Sequence, residues 1–145
     1  MTTPISAHVP NSNTQARSVG RSMAAVVAGF LVVVVFSLGT DQVLHMLNVY
    51  PPWGQPMWEV GDNLLALGYR SVYTILGGYV TARLAPSNPM RHVLILAAIG
   101  LVVGVVAAIG TIPMKLGPAW YPIALALTGP VFTWLGGKLH WKSTN

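Results

Sequence analysis

The most constraining feature of this chain is an arginine placed inside a helix-length apolar run. Residues 62–86 read DNLLALGYRSVYTILGGYVTARLAP, with Arg70 within the run and Arg83 near its far end, thirteen residues on. That separation is roughly 20 Å along a helix that rises 1.5 Å per residue. Measured from a surface at Arg83, Arg70 falls roughly 10 Å short of the opposite face of a 30 Å hydrocarbon layer. A guanidinium at that depth needs a partner or a route to water. One stripe of the helix joins Arg70 to Ala66, Tyr73, Thr74, Gly77 and Thr81, while Leu65, Val72, Leu76 and Val80 occupy the other side. Polar and small residues are the ones that face other helices when the solvent is lipid. The stripe therefore predicts a structural ion pair or a snorkelled side chain for Arg70, or else a contact with a substrate or ion.

Composition places the remainder of the chain in the same setting. Of 145 residues, 53% are hydrophobic and only 8% charged, against about 25% charged in ordinary soluble domains. The length fits one domain. Eight Lys/Arg against three acids give a net charge of +5. The cations are spread over separate loops, which makes them a topology signal and not a nucleic-acid footprint. With no cysteine, thiol redox chemistry, disulfides and thiolate metal sites are excluded.

In order, residues 1–20 are polar and proline-containing and predict a disordered cytoplasmic tail. Residues 21–142 predict an all-α transmembrane four-helix bundle, with helices over about 22–48, 62–84, 92–112 and 120–139. A cleavable signal peptide is the competing reading of the first apolar run, 23–39, which is slightly long for a signal core. The loop YPPWGQPMWEVG at 50–61 carries three prolines and two interfacial tryptophans, with room for a short helix over 56–60. Asp62 is the expected N-cap of the second helix. Gly100 and Gly104 form a small-residue pair expected to pack on a neighbouring helix. Pro130 predicts a kink in the fourth helix.

Arg17, Arg21, Arg83, Arg91, Lys138 and Lys142 fall on one side of this arrangement, and Lys115 alone on the other. The positive-inside rule then puts both termini in the cytoplasm of an inner, plasma-membrane protein. Segments 72–80, VYTILGGYV, and 131–139, VFTWLGGKL, align with each other. Their double glycines, Gly77-Gly78 and Gly136-Gly137, are expected to be helix-packing residues, and the match is a sign of two helical hairpins in parallel repeat.

No catalytic motif is present: there is no P-loop, nucleophile elbow, HExxH or dinucleotide fingerprint. The four histidines are scattered, so neither a metal site nor a cofactor is expected. One constellation stands out. Ser37, Asp41, His45 and Asn48 share a face of the first helix, and Asp41 lies roughly 30 Å above Arg21, at the level a snorkelling Arg70 reaches. Asp41, His45 and Arg70 are therefore the candidate intramembrane polar cluster. Glu59 and Asp62 are nearby alternatives for Arg70.

The stretches GYVTARLAPSNPMRHVLIL and GPAWYPIALAL resemble a set of small bacterial four-helix inner-membrane proteins of unknown function. The resemblance covers the chain from Asp62 onward and implies an integral inner-membrane location without an activity. The chain also has the size of a small multidrug transporter, but its first helix lacks a central carboxylate. The expectation is a non-enzymatic membrane protein with a structural or accessory role; the alternative is a small transporter or channel subunit using the Arg70/Asp41 region. The expected partners are the lipid bilayer and a second copy or another membrane protein, with no nucleic acid.

Overall fold

The computed structural model describes residues 12–144, with side chains from 18 to 143. It contains four α-helices: α1 (Ser12–Met46), α2 (Val60–Leu84), α3 (Pro89–Thr111) and α4 (Trp120–Thr144), with a single 3-10 turn, Ile112–Met114, after α3. No strand occurs among the described residues. The long apolar runs between the proline-rich loops produce this all-α class, as the sequence predicts.

Several boundaries differ from expectation. α1 begins at Ser12, so residues 12–20 extend the first helix where composition predicted tail. No proline interrupts the chain between Pro10 and Pro51, and a helix already nucleated propagates cheaply through polar residues. Residues 1–11 of the expected tail lie outside the described residues. α2 starts two residues early, with Glu59 at the N-cap position and no side-chain capping bond. Asp62 instead sits in the first turn, where its charge meets the positive end of the helix dipole. Residues 51–59 form turns and extended chain, so the short helix expected over 56–60 is not formed. α4 continues through Pro130 and runs to Thr144, beyond its expected end.

α2 touches all three other helices. α4 packs along both α2 and α3, whereas α1 lies along α2 and meets α3 only lightly. The crossings are made by backbone meeting backbone. A Cβ on Gly77 would stand 2.8 Å from the carbonyl oxygen of Gly29, and one on Gly29 would collide with Thr81 Oγ1 and Gly77 O. Gly78 lies on the Thr133 carbonyl and Gly136 on the Ile75 carbonyl, so α2 and α4 meet through the two similar segments. Gly137 receives Val93 of α3, and Gly104 lies against Ala126 of α4. Gly100 has nothing within 4 Å. Within this chain it packs on no helix: it is one turn from Gly104 but on the exposed side of α3.

Burial is inverted relative to a water-soluble bundle. The buried set is dominated by Ala, Gly, Ser and Thr, with Val93 and Leu96 its few larger aliphatics. Leu31, Val35, Val72, Val106, Ile109 and Leu127, drawn from all four helices, are exposed. Two segments, Ser18–Met46 and Pro89–Met114, are long and apolar enough to cross a membrane. α2 and α4 fall short of that measure.

Candidate functional site

The polar centre of the fold lies between the last turns of α1 and the first half of α2. Asp41 is 6% exposed. It accepts two side-chain bonds from α2: Tyr69 Oη donates to Oδ1 and Arg70 Nη2 to Oδ2. Arg70 and Asp41 form an ion pair with side-chain exposures of 29% and 8%. Adjacent residues on a helix point about 100° apart, so Tyr69 and Arg70 approach the carboxylate from two directions and occupy one oxygen each. Arg70 Nε is buried and has no hydrogen-bond partner among the described residues. Its other face meets the Tyr69 ring, with the guanidinium carbon 6.0 Å from the ring centre.

One turn further along the same interface, Thr40 and Tyr73 share a 2.8 Å hydrogen bond. Phe36 packs on the Tyr73 ring at 5.5 Å. These contacts come from one stripe of α1, and that stripe continues through Ser37 down to Gly29 and Ala25, both buried. The sequence reading took in Ser37 and Asp41 and missed Gly29. The signal was present as a small-residue pair, Ala25 and Gly29, four apart.

His45 does not join the cluster. Its Nδ1 donates to the Pro51 carbonyl at 2.6 Å, and its ring lies 4.0 Å from that of Trp53 and 5.5 Å from that of Tyr50. It fixes the chain reversal after α1, a role its helical spacing with Asp41 concealed. Trp53 Nε1 also donates to Gln42 Oε1 at 3.2 Å. Tyr50 is buried and its hydroxyl donates to the Asp62 carbonyl at 3.2 Å. Burial, ahead of the nearby acids, pushes its pKa upward and keeps it a donor. Neither Glu59 nor Asp62 pairs with Arg70.

Asn63 is a second residue the sequence did not single out. It is 1% exposed, and its Nδ2 donates to Met57 O at 3.0 Å and Glu59 O at 2.8 Å. The Met57 amide in turn donates to Leu116 O at 2.7 Å, and a Cβ on Gly117 would stand 2.8 Å from Met57 O. Asn63 thus holds the loop before α2 onto the start of that helix, and the Met57 N–H ties the same loop to the loop before α4. Between these loops and Arg70 lies a cavity of about 270 Å³. Ile112, Leu116, Pro122 and Leu125 give it apolar walls, and Arg70, Asn63 and Tyr121 supply its polar points. No group of His, Asp and Glu among the described residues is arranged to hold a metal ion.

Among the described residues, fold and site define an all-helical protein with one part-buried charge pair at its polar centre. No family model matches the chain, and no curated protein or solved structure is similar to it at a significant level.

Proposed function

We propose that this chain is a four-span integral membrane protein of the inner membrane with a non-enzymatic, structural or accessory role. The observation that carries the reading is the inverted burial: large aliphatics face outward on all four helices while the interior is small and polar. In water such a surface would be a standing aggregation hazard; in a bilayer it is the solvated face. α2 and α4 are counted as spans because they carry the same outward aliphatics. The likeness to small four-helix inner-membrane proteins and the parallel repeat of two hairpins belong to this reading. Charge asymmetry places both termini in the cytoplasm. The ion pair then acts as a lock between the first two spans. Alkaline carbonate washing should leave the chain in the membrane fraction. Reporter fusions at Asn145 should read cytoplasmic, and insertions in the 53–58 loop should read external. A chain released by carbonate sinks the reading, and an external C-terminus sinks the four-span count.

A small transporter or channel subunit is the second reading, favoured by the cavity beside Arg70 and Tyr121. Solute uptake or conductance in proteoliposomes that is lost on Arg70→Ala, with the fold retained, would move the assignment to it.

A further inference from the structure

A second cleft, of about 490 Å³, opens between α1 and α3 at the end of the bundle opposite the ion pair. It exists because these two helices meet lightly. Leu96 reaches to within 3.1 Å of a Cβ placed on Gly29, while nearer the α2–α3 turn the helices leave space between them. The cleft has two zones. Ser87, Asn88 and Arg91 line its mouth, and Val26, Val27, Ile95 and Ile99 are among its apolar walls. The spacing of Arg91, Ile95 and Ile99 repeats every four residues, so one face of α3 passes from cationic to aliphatic over roughly 12 Å.

The mouth is positively charged without an internal counter-ion. Arg91 is exposed and forms no ion pair among the described residues. The chain's three acids, Asp41, Glu59 and Asp62, all lie at the other end. The Ser87 hydroxyl is exposed beside Asn88, which holds a left-handed conformation at φ 43° just before α3. α3 is 23 residues long, and its N-terminal dipole adds to the positive field at the mouth. His92 also lines the cleft; it is 7% exposed and its Nδ1 donates to Asn88 O at 3.2 Å.

We propose that this cleft binds an anionic phospholipid of the cytoplasmic leaflet, its phosphate on Arg91 and Ser87 and one acyl chain between Val26/Val27 and Ile95/Ile99. A guanidinium matches a phosphodiester with two parallel bonds, and the apolar zone begins one helical turn beyond it. A zwitterionic headgroup brings a cation to a mouth that has no acid to receive it, so the preference is for anionic lipid. The assignment rests on the membrane-spanning reading above.

The test uses the full chain purified in detergent, its melting midpoint followed as dioleoyl phosphatidylglycerol or dioleoyl phosphatidylcholine is added. The glycerol lipid should raise the midpoint by about 4 °C near ten times its dissociation constant, and the choline lipid by much less. Arg91→Gln should lose most of that rise, and Ile95→Trp, which fills the apolar zone, should lose it too. Arg83→Gln removes an equally exposed cation outside the cleft and should keep the rise. Lipid-free midpoints show that each variant folds, and Arg91→Gln decides alone if Ile95→Trp does not. An equal loss in Arg83→Gln would reduce the effect to general surface charge and overturn the site, as would an equal rise with the choline lipid. A rise reproduced by inorganic phosphate alone would remove the lipid from the proposal. Release of the chain by carbonate would instead overturn the membrane reading; retention without a lipid-specific rise sinks only the cleft.

Discussion

The two ends of the α1–α2 interface are held by different physics. At one end Ala25, Gly29, Gly77 and Thr81 bring the backbones into contact, and Thr81 Oγ1 donates to the Ala25 carbonyl at 3.2 Å. At the other, Asp41, Tyr69 and Arg70 join the helices through side chains, with Thr40 and Tyr73 behind them. The helices therefore meet backbone to backbone where they carry no Cβ, and through long polar side chains where they carry Asp41, Tyr69 and Arg70. Contact at the glycines tolerates no added atom. The polar end tolerates shape change but not the loss of a charge.

The sharpest way to break this contrast is at the carboxylate. We expect Asp41→Ala to cost about 4 kcal/mol, in the range for removing one partner of a buried pair. It orphans two donors at once, and a guanidinium cannot discharge itself by losing a proton. Arg70→Ala should cost less, because the remaining carboxylate keeps the hydrogen bond from Tyr69. Detergent denaturation of both single variants and the double variant measures the coupling; a value near zero would mean that the pair does not hold α1 to α2.

At the glycine end, Gly29→Val should cost about 3 kcal/mol, the upper part of the usual overpacking range, because its Cβ meets Thr81 Oγ1 and the Gly77 carbonyl. A melting midpoint equal to that of the parent chain would show that the helices separate easily there. Tyr73→Phe lies between the two regimes and should cost about 1 kcal/mol, the worth of one hydrogen bond. A loss as large as that of Asp41→Ala would extend the charged network to Thr40. The smallest effect is expected at Gly100, where Gly100→Ala meets no atom and should stabilise by a few tenths to about 1 kcal/mol through helix propensity alone. Destabilisation there would place a partner on the exposed side of α3, and crosslinking of a cysteine introduced at 100 would identify it.

Charge was the most legible part of the sequence. So few charged residues occur that depth and helical phase alone put Asp41 within reach of Arg70, and the structure pairs them. Phase also misled, since His45 shares the Asp41 face but lies at the end of α1, where the chain reverses and Pro51 offers a nearer acceptor. The glycine pairs at 77–78 and 136–137 could be read from their repetition. Gly100 and Gly104 could not be separated, because the spacing that puts both on one side of a helix does not say how far the neighbouring helix extends along it. Asn63 was invisible for a further reason: its acceptors are the carbonyls of Met57 and Glu59, and loop carbonyls have no signature in side-chain pattern. Helix boundaries drifted where no proline or glycine marked them, at Ser12 and Thr144.

The two fastenings of the first loop have a consequence for cutting and rejoining the chain. His45 grips the loop at Pro51, and Asn63 with Leu116 grips it at Met57. The tip between them, residues 52–56, is exposed throughout and includes Gly54 at φ 83°. Within the tip Trp53 is itself held to α1, its ring on His45 and its Nε1 on Gln42 Oε1, so the cut belongs at residues 54–56, between that hold and the grip at Met57. Two fragments divided there would each retain the side chains that clasp the other, Asp41 on one and Tyr69 with Arg70 on the other. Co-expressed, they should find each other and rebuild the bundle, which makes this tip the natural seam of the protein.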